Sequence, residues 1–295
     1  MLVEMTIAYS LPSISTVLSD FSTLEGTVRY LIDNEILYSE LECSCGGRMK
    51  RNLPKMIFRC SKLGYRREKS LFHGTFFAKS KLRHDKVMQM AYFWLSKAST
   101  TQIVAYTQVS EKSVQAYVNY FQELVADTLD EEDFVIGGEG VVVEVDEAKL
   151  GKRKYNRGHR VDGVWVFCAV EKTTERKVFL KTLENRTSET LTSLILEHIR
   201  PGSIVNTDGW RGYLDISTNN YEHLVVNHSI EFKNMVTGAC TNTAEGTNNA
   251  IKILIPARKR TANCENCLFE FIWRRKNEKQ LWDKFIEALK SIKYD

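Results

Sequence analysis

The chain has 295 residues, a formal net charge of +4 and a sequence pI near 8.6, with 43% hydrophobic and 26% charged residues. These shares are ordinary for globular proteins and exclude a wholly disordered chain, and the length admits two or three small folded units. Seven cysteines, no charged segment leading into an apolar leader, and no apolar run near the roughly 18 residues of a membrane span argue against secretion, a disulfide framework and a membrane role. An intracellular protein is expected.

Residues 1–40 read as an N-terminal helical segment, with one amphipathic helix over Thr23–Ile32 and no evident chemistry. Residues 41–82 resemble a zinc ribbon that has lost a ligand. Cys43-Ser-Cys45-Gly-Gly opens the segment and Cys60 follows a predicted hairpin, but Leu63 stands where a fourth cysteine would sit. A structural zinc site wants four ligands in a tetrahedron. Cys43, Cys45 and Cys60 therefore suit a weak Zn²⁺ site completed by His73 or another chain, or else a metal-free remnant of a ribbon, the favoured reading. The pair Cys264 and Cys267 lacks a partner knuckle.

Residues 83–130 predict three helices. The first runs from about His84 to Lys97 with Val87, Met90, Ala91, Trp94 and Leu95 on one face; the second spans Thr101–Tyr106; the third is capped by Ser110 and repeats apolar residues from Val114 to Val125. A short helix, a tight turn and a longer capped helix fit a helix-turn-helix, whose last helix would enter the major groove. Lys112, Gln115 and Asn119 would then face the bases, where Gln and Asn suit adenine and Lys suits guanine or phosphate. The acidic connector around Asp130–Asp133 and the glycines at 137, 138 and 140 mark a boundary.

Residues 138–277 read as a mixed α/β domain, followed by a C-terminal helix over 278–295. The expected order is a strand (Val141–Asp146), a basic loop, strands over Val164–Glu171 and Lys177–Leu183, a helix (Ser188–Ile199), a strand (Ile204–Thr207) and a helix (Asn242–Leu254). Such an order describes the opening of an RNase H-like α/β fold. By the period-two rule Glu144 and Asp146 share one face of the first strand, placing Asp146 at its end beside a cleft. On the last helix Glu245, Asn249 and Lys252 oppose the face of Ala244, Thr247, Ile251 and Leu254.

Asp146, Asp208 and Glu245 thus stand in three unlike settings, as a two-metal phosphoryl-transfer site requires. Carboxylates are the hard ligands that Mg²⁺ or Mn²⁺ prefers, and two ions roughly 3.5–4 Å apart stabilise both the attacking and leaving oxygens of a phosphodiester. Lys149, Lys152, Arg153, Lys154, Arg157, His159 and Arg160 follow Asp146 closely, and basic clusters of this kind give salt-dependent binding to a polyanion. Lys252 is placed for a phosphate.

Taken together, Glu144-Val-Asp-Glu147, Val164–Glu171, Pro201-Gly-Ser-Ile-Val-Asn-Thr-Asp-Gly-Trp-Arg-Gly-Tyr213, Val226-Asn-His-Ser229, Asn242-Thr-Ala-Glu245 and Phe269–Arg274 resemble the DDE transposases of the ISXO-like insertion sequences and the related Merlin elements. The resemblance spans roughly residues 42–277. It implies a retroviral-integrase-type, RNase H-like catalytic domain, with Asp146, Asp208 and Glu245 as a triad holding two Mg²⁺ ions and Asp146 bridging both. It also implies a double-stranded DNA substrate: terminal inverted repeats are cleaved and their 3′-hydroxyl ends joined to target DNA by an assembly of two or more copies, in the nucleus if the host is eukaryotic. His228 would position a scissile phosphate or pack beside the metals, and Asn249 is a further auxiliary residue.

The chain departs from the family where Cys240 replaces a histidine, Asn248 a tryptophan and Cys168 a glycine. The alternative reading is therefore a domesticated or decayed descendant that binds specific DNA without cutting it. A stand-alone nuclease of the same fold is a third.

Overall fold

The structure, a computed structural model, describes residues 11–151, 163–213, 221–226, 240–261 and 263–294. The chain forms two compact units, Met1–Thr128 with Asn277–Asp295, and Leu129–Lys276.

The first unit begins with α1 (Ile14–Asp20) and α2 (Leu24–Asp33). Ser13 and Thr23 cap them by accepting the Thr16 and Gly26 amides, which would otherwise lack helical partners. Strands β1 (Leu41–Glu42), β2 (Arg48–Asn52), β3 (Ile57–Cys60) and β4 (Glu68–Ser70) then form an antiparallel sheet in sequence order. Three helices follow: α3 (His84–Leu95), α4 (Thr100–Thr107) and α5 (Glu111–Ala126). A reciprocal Ser99–Gln102 capping box starts α4, and Gln108 in the left-handed region stops it. Ser110 then caps α5 by accepting the Ser113 amide.

In the second unit, Asp130 caps a 3₁₀ turn over Glu131–Phe134, and β5 (Ile136–Gly137) follows. A meander is built from β6 (Val142–Leu150), β7 (Val164–Glu171) and β8 (Val178–Leu183). Next come α6 (Ser188–His198), β9 (Ile199–Arg200), β10 (Ile204–Asp208), β11 (Glu222–Val226), α7 (Asn242–Leu254) and α8 (Glu265–Lys276). The main sheet has the order β11-β10-β6-β7-β8, with β10 parallel to both its neighbours and the meander antiparallel. Gly137 pairs with Arg200 beside Ser203. Its φ is +81°, and a Cβ there would come within 2.3 Å of the Ser203 hydroxyl, so both conformation and space demand glycine.

The sheet is covered on both faces. Val143, Val145, Phe167, Ala169 and Phe179 pack with Leu191 and Ile195 of α6, while Val166, Cys168, Val170 and Leu180 pack with Ala244 and Ile251 of α7 and Leu268 and Ile272 of α8. Alternate residues of one strand serve opposite cores, as the pleat requires. The chain returns to the first unit in α9 (Leu281–Ser291). There Phe285 packs edge-on to Phe121 of α5 with ring centroids 5.6 Å apart. None of the described helices is long and apolar enough to cross a membrane.

One expectation is corrected. The strand carrying Asp146 does not end there, but continues through Lys149 to Leu150, because β7 pairs with it continuously from Val143 opposite Glu171 to Leu150 opposite Val164. Lys149 is therefore a strand residue rather than part of a basic loop.

Candidate active site

Asp146 lies in mid-strand, at the point where β6 loses its parallel neighbour. Pairing of β10 with β6 runs only from Ile204 opposite Val142 to Asn206 opposite Glu144. Two residues further on, each strand carries an aspartate: Asp146 on β6, and Asp208 at the carboxyl end of β10. Parallel strands that part at their carboxyl ends open a crevice there, the usual position of ligand sites in such sheets. Asp208 Oδ1 accepts the Trp210 amide at 3.0 Å, turning the chain sharply after the strand.

The third carboxylate comes from α7, which packs across the same sheet face. Its pattern is as expected: Ala244, Thr247 and Ile251 are buried, Glu245 and Asn249 are exposed, and Lys252 is half-buried. A cleft of about 670 Å³ is lined by Asp146, Lys149, Trp165, Glu245, Asn249 and Lys252 among others. Two cations and the flanking carboxylates therefore face one volume. Lys149 Nζ also sits 5.7 Å from the centre of the Trp165 ring, within cation–π range.

Electrostatics tie the acids together. Burial holds the Asp146 carboxyl above its usual range; the Asn248 side chain opposes that shift, and the negative charges of Asp208 and Glu245 add to it. Asn248 Nδ2 donates to Asp146 Oδ2 at 2.9 Å, while its own buried Oδ1 has no hydrogen-bond partner among the described residues. Glu147, pointing to the opposite face, is pushed up to about 7 by burial, with Arg186 pulling it down and Asp208 and Asp146 pushing it further up. Arg186 donates to Glu147 Oε2 from Nε at 3.0 Å and Nη2 at 2.6 Å, and the Tyr213 hydroxyl donates to Oε1. The same guanidinium lies 4.1 Å from the Trp165 ring centre and 4.6 Å from that of Trp210.

The donor set fits divalent metal. Three hard carboxylates raise one another's affinity for positive charge in a partly desolvated crevice, the condition a bound dication relieves. Their ligand atoms do not all fall within 4.8 Å of one another, since the group of three that does so among the described residues is cysteine-based. A single ion held by all three is thus not preformed.

From sequence, Glu144 and Glu147 figured only as parts of a family motif and Asn248 only as a departure from it, and Arg186 was not singled out. Their roles arise across the sheet and between elements, and the one available cue was Glu144 sharing the inward face with Asp146. Lys152, Arg153, Lys154 and His228 lie outside the described residues. On α5, Lys112 and Asn119 are exposed and Gln115 is half-buried, with its amide donating to Glu111 at 2.7 Å.

In the first unit, the sulfurs of Cys43, Cys45 and Cys60 lie within 4.8 Å of one another, with 3.5 Å between Cys45 and Cys60. The turn after Cys43 is closed by the Gly46 amide bonding to the Cys43 carbonyl, and the Lys62 amide points to Cys60 Sγ at 3.4 Å. The Cys43 thiol is pulled down to about 7, chiefly by the Cys45 backbone amide. Leu63, in the place of a fourth ligand, is 95% exposed. Cys264, just before α8, and Cys267, in its first turn, instead pack in the core shared with α7.

Comparison with protein families matches residues 136–262 to the ISXO2-like transposase domain, so the resemblance to DDE transposases holds over that region. No curated protein matches the chain. Among solved structures, one described as the crystal structure of a pre-cleavage Mos1 transpososome is 11% identical over 72% of this chain and 81% of that chain, with a TM-score of 0.23. A likeness that slight carries no argument.

Proposed function

With residues 136–262 resembling the ISXO2-like transposase domain, we propose that the chain is a DDE-type DNA transposase that binds terminal inverted repeats, cleaves them and joins their 3′-hydroxyl ends to target DNA. The observation that carries this reading is that Asp208, from the strand that parts from β6, and Glu245, from α7, both come near enough to Asp146 for their charges to act on it. The sheet order β11-β10-β6-β7-β8, with an antiparallel meander followed by parallel strands, supports an RNase H-like fold for the unit.

In this reading Asp146, Asp208 and Glu245 would hold two Mg²⁺ or Mn²⁺ ions. When bound, the ions supply charge stabilisation at the attacking and leaving oxygens of the phosphodiester. The chain's own groups do the rest. Lys149 and Lys252 hold phosphates on the two sides of the cleft, Asn249 offers a neutral donor between them, and the Glu147–Arg186 pair stacked against Trp165 and Trp210 keeps the strand beneath Asp146 rigid. Lys112, Gln115 and Asn119 of α5 read the repeat as the last helix of a helix-turn-helix, and Lys152, Arg153 and Lys154 add phosphate contacts. Two or more copies hold the paired ends, and the protein works inside the cell on DNA.

The three clustered thiols support a structural Zn²⁺ in the first unit, with a non-cysteine ligand in the fourth position. Metal content of the purified protein tests this: about one zinc per chain is expected, falling to none in Cys43→Ser.

Asn248 favours a second reading. Its amide donates to one oxygen of Asp146 and competes there with a metal ion, as suits a descendant that binds repeats without cutting them. The deciding experiment incubates the protein with a labelled duplex bearing the element's own terminal repeat and a target plasmid, with Mg²⁺, Mn²⁺ or chelator. Metal-dependent joined products that vanish in Asp208→Asn, with binding unchanged, are expected. Specific binding without cleavage would establish the second reading, and cleavage without joining would mark a nuclease.

A further inference from the structure

Glu144 is an ionisable residue in the middle of β6, fully buried at 0% exposure. Its Oε2 accepts the Thr243 amide at 2.6 Å and the Ala244 amide at 3.2 Å. Its Oε1 receives the Cys240 thiol at 3.4 Å and faces Lys172 Nζ at 3.6 Å. The two amides belong to the first turn of α7, where helical geometry leaves N–H groups without intrahelical acceptors. The side chain of Thr241, the residue preceding the helix, does not cap them. The carboxylate that does so comes from a strand about one hundred residues earlier, and its negative charge also opposes the positive end of the helix dipole.

The placement matters because of what lies on either side. On β6, Asp146 follows Glu144 by two residues on the same sheet face; on α7, Glu245 follows Ala244 directly and Asn248 lies one turn on. Neighbouring Asn206 of β10 donates from Nδ2 to the Cys240 carbonyl at 3.3 Å, so the segment entering α7 is tied to both parallel strands. Thr243, Ala244 and Cys240 converge on one buried side chain, and sliding α7 along β6 would break all three contacts together.

We infer that Glu144 is a positioning residue, which caps α7 from β6 and so sets the separation of Glu245 from Asp146, and with it the metal affinity of the site. This rests on the metal-binding reading of the triad given above. Glu144 touches neither substrate nor metal; it acts through the helix it holds.

Mn²⁺ binding to the purified full-length protein, followed by electron paramagnetic resonance, tests the inference beside hydrogen exchange at the start of α7. Glu144→Leu keeps the volume but removes the acceptor, Glu144→Asp shortens the reach, and Glu144→Gln keeps an oxygen for the two amides. Expected are faster exchange of the Thr243 and Ala244 amides and an affinity loss of about 10- to 100-fold in Glu144→Leu, as when groups that orient metal ligands are removed. Glu144→Asp should fall between it and the wild type in both affinity and amide exchange, and Glu144→Gln should recover most of the loss. If Glu144→Leu does not fold, Glu144→Asp alone carries the test. Wild-type Mn²⁺ affinity in the shortened variant would overturn the positioning role while leaving the metal site intact. A wild-type protein that binds no Mn²⁺, or binds it equally with Asp146→Asn, would overturn the metal reading and this inference with it.

Discussion

Substituting Asp146 by Asn should stabilise the metal-free second unit while abolishing its response to metal. Asp146 lies partly desolvated between Asp208 and Glu245, both of which disfavour its charge. Two like charges about 6 Å apart at an effective dielectric of about 20 repel by about 3 kcal/mol. With two such neighbours and roughly half of the effect screened by solvent, about 3 kcal/mol of repulsion is removed. Against this, the Asn248 bond to Asp146 loses its charge assistance, a cost of about 1 kcal/mol. An asparagine at 146 can also donate to Asn248 Oδ1, which has no partner among the described residues, and the net gain is about 2 kcal/mol. For a unit of this size that is roughly 4–8 °C in Tm. Calorimetry in chelator reads the gain directly, and repeating the scan in Mn²⁺ reads the linkage. Wild type should gain about 2.7 kcal/mol at one hundred times Kd, and Asp146→Asn nothing. A lower Tm for the variant in chelator would refute crowding of charge in the crevice, and an undiminished Mn²⁺ shift would remove Asp146 from the metal site.

Changing Lys149 or Lys252 to Ala should weaken binding to unrelated DNA sequences alike and lower the slope of log K against log salt by about 1 each; filter binding between low and moderate salt measures it, and an unaltered slope removes that lysine from the phosphate path. The first unit should lose stability in acid. Burial lowers the pKa of His84 from 6.5, its Nε2 has no partner among the described residues, and its ring stacks on Phe77. Because the folded pKa is depressed, the unfolded chain binds the extra proton first. The stability is therefore full above about pH 6.5 and falls as the pH drops through the folded value. Urea titrations of wild type and His84→Gln at pH 5 and pH 7.5 check this, the variant showing the smaller difference. Zinc should protect Cys43, Cys45 and Cys60 from alkylation, and protection that survives in Cys60→Ser would contradict a shared three-thiol site.

Much of the local structure was legible. The capped start at Ser110, apolar periodicity in α3, α5 and α7, and the dense valines of β6 and β7 announce themselves because each depends on neighbours a few residues away. The exposure of Glu245 and the burial of Ala244, Thr247 and Ile251 follow from helical spacing alone. The reach of β6 through Lys149 was not legible, because a strand ends where its partner ends, and the partner begins at Val164. Nor was the value of Glu144, Glu147 or Asn248, since a carboxylate in a valine-rich strand says nothing of which amide or guanidinium will meet it.

The order of acidic residues, the helical pattern around Glu245 and the ribbon-like spacing of Cys43, Cys45 and Cys60 belong to the sequence by itself, and they suffice to suggest metal-dependent chemistry on a polyanion. Only the tertiary structure decides that β10 leaves β6 just before the two aspartates, that α7 is moored by a buried carboxylate of the same strand, and that three distant thiols meet. Periodicity is a property of adjacent residues, whereas burial, charge coupling and hydrogen-bond satisfaction depend on which distant segments the packed core brings into contact.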